Sequence, residues 1–205
     1  MIAIAAGTYS YVASLAGKPS GKTTITVTRD KDGSVAIGED SSGSFQGVAG
    51  SAKATLSLGR DDATVTGYLA HLTVGANAVD SSATFAGKSA TVNGLGGAQT
   101  FTLVPGQQFV LVDGALMSGF IALPSQVAAW PNAPLELVQP IYGQATALLT
   151  DPNAKPVRPA GVPAADASLS VTGPVPLVEW YDPATMIPDE IDVTAEQPLV
   201  ITRQR

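Results

Sequence analysis

Cysteine is absent from the 205 residues of this chain. That excludes structural disulfides, thiolate zinc sites, iron–sulfur clusters and a cysteine nucleophile together. Histidine occurs once, at position 71, so a His-rich metal site is excluded as well. Aromatic residues make up 6%, too few to stack a nucleic acid along a binding face. Charge is scarce: 14% of residues, a net charge of −6, and Lys and Arg scattered singly. Such a chain lacks the electrostatic footprint for nucleic acid or anionic lipid headgroups. No apolar run approaches the roughly 20 residues of a membrane-spanning helix. The start, MIAIAAGTYSY, has neither the basic opening nor the long apolar centre of an intact signal peptide.

What is present is β-forming material and turns. Apolar residues reach 45%, with 21 Gly and 15 Pro, and the polar content is mostly Thr, Ser, Gln and Asn. Gly7–Leu15 opens as a strand. Lys22–Arg29 alternates Ile25 and Val27 with Thr24, Thr26 and Thr28, the pattern of a half-buried strand. Asp30–Gly33 is a hairpin turn leading to Val35–Gly38. Residues 40–50 are small and Gly-rich, either a loop or a strand thin enough for something to lie against it. Lys53–Leu58, Ala63–Val74, Ala83–Ala86, Ser89–Val92 and Thr100–Val104 follow as strands. Gln108–Asp113 is apolar on both faces and reads as a central strand. Met117–Trp130 is the helix candidate, with Pro124 read as its first turn and one or two turns expected. Leu135–Thr150 is a strand broken at Pro140. Asp151–Ala165 carries four prolines and reads as a surface loop. Ser168–Thr172 then leads into a final meander, Leu177 to Arg203. There, alternation places Val178 and Trp180 on the core face and Glu179 in water.

Roughly a dozen short strands and one short helix predict a mainly β protein. The expected form is one antiparallel domain over residues 1–205, built as a single large curved sheet or open barrel.

No catalytic constellation accompanies this pattern. His71 lacks the activated serine of a triad, since no G-x-S-x-G elbow occurs, and it reads as an ordinary strand residue. Asp30 and Asp32 open a calcium-like run, but the closing Glu is missing and a hairpin turn accounts for them. Asp182, Asp189, Glu190 and Asp192 offer carboxylates. Glycosidic chemistry needs two of these across a cleft of about 5–10 Å; neighbours on one hairpin alternate faces, so solvent-facing charge is the expectation. Gly94–Gly97 lacks a Walker lysine. The chain is therefore expected to be no enzyme, to hold no metal and to need no cofactor. Tyr9, Tyr11, Phe109, Phe120, Trp130 and Tyr142 are the candidate ligand-binding aromatics, as lining of a hydrophobic cavity if they are not plain core.

Two stretches carry a family resemblance. The opening Gly7-x-Tyr9-x-Tyr11 with Thr24 to Gly33, and the ending Leu169 to Gly173 with V-E-W-Y-D-P-A-T-x-x-P (Val178 to Pro188) and Thr202-Arg203, resemble uncharacterised bacterial envelope β-domains. These are similar to the periplasmic lipoprotein-carrier fold, an antiparallel sheet curled into an open barrel around helices. Val110–Val127 resembles the crossover of such domains. The resemblance implies a concave apolar face for a hydrophobic or amphiphilic ligand, and a periplasmic or secreted location. Similar domains fused to hydrolases also imply an accessory module, and the low charge and Gly/Thr-rich strands by themselves allow an interaction module that works through its surface, including an edge strand. The chain differs from the carriers in having little helix.

Overall fold

A computed structural model describes residues 3–45, 48–114, 116–194 and 196–205. Their strands are β1 (Gly7–Leu15), β2 (Lys18–Arg29), β3 (Val35–Phe45), β4 (Val48–Leu58), β5 (Val65–Val74), β6 (Asn77–Ala86), β7 (Ser89–Gly94), β8 (Gly97–Thr102) and β9 (Gln108–Leu111). After helix α1 (Met117–Ala129) come β10 (Leu135–Gln139), β11 (Gln144–Thr150), β12 (Ala167–Gly173), β13 (Leu177–Asp182), β14 (Ile187–Val193) and β15 (Leu199–Gln204). A single 3-10 turn, Pro140–Tyr142, separates β10 from β11.

All these strands join one sheet, in the order β8-β7-β6-β5-β4-β3-β2-β1-β15-β14-β13-β12-β11-β10-β9. Two meanders thus run outward from a seam between the first and last strands, where Ser10–Leu15 pairs antiparallel with Leu199–Gln204. One neighbouring pair, β9 and β10, is parallel. The α1 crossover lies between them, because a tight turn cannot connect parallel strands.

The sheet curls without closing into a barrel, and α1 fills its concave side, packing against β2, β3, β4, β9 and β14. Inward-facing Ile25, Ile37, Leu56 and Tyr68 continue one buried layer into the helix residues Phe120, Ile121 and Leu123. The β9 end is rolled inside. Phe85 of β6 meets Phe109 of β9 edge to face at 5.4 Å, and Ser81 of β6 donates to Asp113 just past β9 at 3.1 Å.

That curl corrects the reading of Gln108–Asp113 as central. β9 ends the sheet order; its two apolar faces reflect cover from α1 and the inner side of β5 and β6, not strands on both sides. Residues 40–45 and 48–50 prove to be strand, extending β3 and β4 past the expected bounds. The helix is longer than one or two turns, and Pro124 stands inside it, not at its start. Without an N–H, Pro124 leaves the Phe120 carbonyl short of its intrahelical donor. Tertiary burial compensates, since Met117–Gln126 are all buried. Gly119 lets the helix approach β9: a Cβ there would lie 2.5 Å from the Leu111 carbonyl oxygen.

The final hairpin also needs correction. Glu179 is not in water; it is 0% exposed, on the inner face between Leu169 and Ile191. Trp180 is buried as expected, but on the outer face. The Pro-rich segment 151–166 crosses there, with the Arg158 guanidinium 4.5 Å from the indole centroid. Arg158 is fixed by donating to the carbonyls of Pro163 and Asp166.

Candidate functional site

The concave side opens at the end of the sheet next to the helix N-terminus, and the residues of three strands leave a groove there. Gly21 on β2 pairs with Gly43 on β3, which pairs with Gly50 on β4, so one inner row has no side chains. The row is tight as well as bare: a Cβ on Gly43 would fall 2.3 Å from the Ser20 carbonyl oxygen, and one on Gly50 2.8 Å from that of Thr73. The next row inward, Thr23, Ser41 and Ala52, is also small. The resulting groove has a volume of about 290 Å³, just below the roughly 300–1,000 Å³ of small-molecule sites. Ala13, Leu15, Leu72, Met117, Leu199 and Ile201 make its wall largely apolar. Val48 and Val74, which also line it, are 45% and 47% exposed.

One polar spot interrupts this wall. The Glu39 carboxylate accepts the Ser118 N–H at 2.9 Å and the Ser41 hydroxyl, and Ser41 in turn meets Thr23 Oγ1 at 2.9 Å. Leu116 offers no side chain to cap α1, so Glu39 serves the helix N-terminus from another element. Burial raises the Glu39 pKa, and these hydrogen bonds oppose the rise.

Two other buried carboxylates pin the curl. Asp62 accepts the Ile4 N–H at 2.7 Å and a two-pronged pair from Arg29. Beside it, Ser125 and Gln126 of α1 donate to the carbonyls of Asp62 and Ala63 at 2.6 and 3.0 Å. Asp113 accepts the Ile141 N–H at 2.8 Å and the Ser81 hydroxyl, and burial raises its pKa. All three carboxylates are committed to donors that hold distant segments together.

Of the carboxylates in the last hairpin, Asp182 does what a turn asks, accepting the Ala184 N–H at 2.8 Å and the Thr185 hydroxyl at 3.0 Å. Asp189 and Glu190 are buried, not solvent-facing. Asp189 pairs with Arg205 at 2.7 Å and Arg203 at 3.4 Å. Asp166 lies beside it with Oδ2 otherwise unpartnered among the described residues. Burial first, then the neighbouring Asp189 carboxyl, pushes the Asp166 pKa up to about 6. Two carboxyls in contact share a proton more readily than they bear two charges. Burial also raises Glu190 and Asp192.

A larger hollow, about 710 Å³, lies on the outer face of β2 to β7. Its lining includes Thr24, Thr26 and Thr55 but presents more apolar than polar surface, the exposed Leu69 among it, and Lys53, Asp40, His71 and Asp80 pair off along it. Lys53 and Asp40 are 3.7 Å apart, and His71 Nδ1 is 2.7 Å from Asp80. His71 is thus an exposed strand residue. Asp32 accepts the Ser34 N–H within the β2–β3 turn.

The six candidate aromatics do not line these hollows or the smaller cleft beside Asp189. Tyr11, Phe109 and Phe120 are core, the Tyr11 hydroxyl donating to the Pro188 carbonyl at 3.0 Å. Tyr9 is partly buried, donates to the Ala5 carbonyl at 2.9 Å and has the Arg203 guanidinium 4.9 Å from its ring centroid. Trp130 ends α1 half-buried, and Tyr142 is 50% exposed on the 3-10 turn. Aliphatic and small residues line the mouth instead. Their signal in the sequence is the Gly-rich run 40–50, but only strand register aligns Gly43 with Gly21 and Gly50.

No family model matches this chain, and no curated protein matches it. Among solved structures it is similar to a crystal structure of a beta-barrel-like protein of Domain of Unknown Function DUF1849 from Brucella abortus. The TM-score is 0.59 at 10% identity, over 100% of this chain and 98% of that one. The likeness places the chain in a β-barrel-like fold.

Proposed function

We propose that this is a non-enzymatic binding protein that holds the apolar part of a hydrophobic or amphiphilic ligand in the mouth of its curled sheet. One observation carries the reading: a largely apolar groove left vacant by the Gly21–Gly43–Gly50 row, with exposed Val48 and Val74 along it. Apolar surface left wet at a concave site is surface that an apolar ligand gains free energy by covering. The Thr23–Ser41–Glu39 spot gives an amphiphile a place for a hydroxyl or amide. A curved antiparallel sheet around a buried helix and a sparse surface charge also suit the lipoprotein-carrier reading of the sequence, and with that reading goes the proposal of a periplasmic or secreted location.

Calorimetric titration with dodecanoate and with a single-chain phospholipid tests it, using wild type and Ala13→Trp. The indole fills the groove from a partly buried position. Saturable binding by wild type and its loss in Ala13→Trp is the expected outcome. Equal binding by both, or none by wild type, rejects the groove as the site.

A further inference from the structure

Hydrogen bonds have a direction, and at the polar spot of the groove that direction is fixed. Ser41 has a single hydroxyl proton and donates it to Glu39 Oε1. Thr23 Oγ1 lies 2.9 Å from Ser41 Oγ. Ser41 has no second proton to give, so Thr23 is the donor of that pair. The other Glu39 oxygen accepts the Ser118 N–H at the start of α1. A relay therefore runs from Thr23 through Ser41 to ionised Glu39, with every proton in it already committed. What the two hydroxyls keep for the groove they line is lone pairs, which accept and cannot donate. These oxygens stand one row behind the bare glycines, Thr23 opposite Ser41 and Ser41 opposite Ala52. The Ser118 hydroxyl is fully buried and does not line the groove. Lys22 is the one cation along it among the described residues; it stands between inward-facing Gly21 and Thr23, so its side chain points to the outer face. A polar group that reaches this spot meets acceptors, with neither a donor nor a cation beside them.

We propose, resting on the groove as the ligand site, that it selects uncharged amphiphiles whose polar group donates a hydrogen bond, as a fatty alcohol or a primary amide does, and takes that group inward against Thr23 and Ser41. The donor completes lone pairs that the relay leaves open, while the chain covers the aliphatic wall out to Val48 and Val74. An ether or a carboxylate brings only lone pairs to oxygens that already present lone pairs. Such a group gives up its water there and gains no bond in return. A carboxylate amphiphile is left to enter by its chain, with its head at the mouth.

Calorimetric titration at pH 8 with 1-octanol and with its isomer 1-methoxyheptane tests the choice, since the ether has the same atoms but no O–H. Wild type is expected to bind the alcohol about tenfold more tightly, the worth of one hydrogen bond. Glu39→Gln reverses the relay. The Ser118 N–H holds the amide oxygen, so the amide NH2 faces Ser41, Ser41 donates to Thr23, and the Thr23 hydroxyl is released toward the groove. That variant is expected to bind ether and alcohol within about twofold of each other. A wild type that binds the alcohol no better than the ether overturns the proposal, and so does a preference that survives Glu39→Gln. Either result with dodecanoate still bound, and lost in Ala13→Trp, leaves the groove standing as the site. Absence of dodecanoate binding to wild type removes the groove and this proposal together. The wild-type comparison is independent of how well the variant folds.

Discussion

Glu179 sits in the core with both carboxylate oxygens unpartnered among the described residues. Burial pushes its pKa well above the usual carboxylate range, so the folded protein holds the proton that the unfolded chain releases near pH 4.3. A raised folded pKa gives stability that is complete below the unfolded value and is lost as pH rises toward the folded one. Glu179→Met, which removes the group and fills the space, is therefore expected to be more stable than wild type. At pH 4 the gain reflects an unsatisfied buried polar group, about 1–3 kcal/mol. Above that it widens by up to about 1.4 kcal/mol per pH unit. Urea unfolding at pH 4, 6 and 8 checks this; a gap that does not change with pH refutes it. Strand alternation already separates Glu179 from Trp180 at the level of sequence. What it lacks is the cover: α1 and the curl bury the inner face, while segment 151–166 buries Trp180 on the outer one.

At the scale of elements, α1 depends on a residue from another strand. Its N-terminal amide at Ser118 is buried and bonded to Glu39 of β3. Glu39→Ala leaves that donor without an acceptor and is expected to destabilise by about 1–3 kcal/mol. Glu39→Gln retains an acceptor oxygen and is expected to lose clearly less. Thermal unfolding of the pair decides it; equal losses would show that the charge, not the hydrogen bond, secures the helix. The helix itself is legible in the sequence between Met117 and Trp130, where small and apolar residues run together. Its length is not, because Pro124 looks like a helix start when propensity is weighed without packing. Most of the β-hairpins are also legible, since Asp30–Gly33, Gly59–Asp62 and Gly94–Gly97 are turn chemistry acting locally.

For the whole molecule, the decisive contact is the seam of β1 and β15, which joins the two meanders through six residue pairs. It closes nearly the full length of the chain, and contacts so distant in sequence form late and slowly. Removing residues 199–205 bares the edges of β1 and β14 and deletes the buried Ile201. The truncated chain is expected to lose cooperative unfolding, seen as a broad denaturant transition with a lower slope. A sharp transition at the wild-type midpoint would mean that α1 and the rolled-in β9 end hold the two meanders together without the seam.

The sequence by itself determined the class of the protein: short strands, their hairpin order, the antiparallel sense of nearly all of them, and one helix between two long β stretches. These follow from side-chain alternation and turn residues, which act over a few positions. The tertiary structure decided which face of each strand is covered, that β9 is an edge rolled inward while β8 stays open, and that three glycines fall in one row beside α1. Alternation reports which residues share a face; what lies against that face is set by register and curl, summed over strands far apart in the chain.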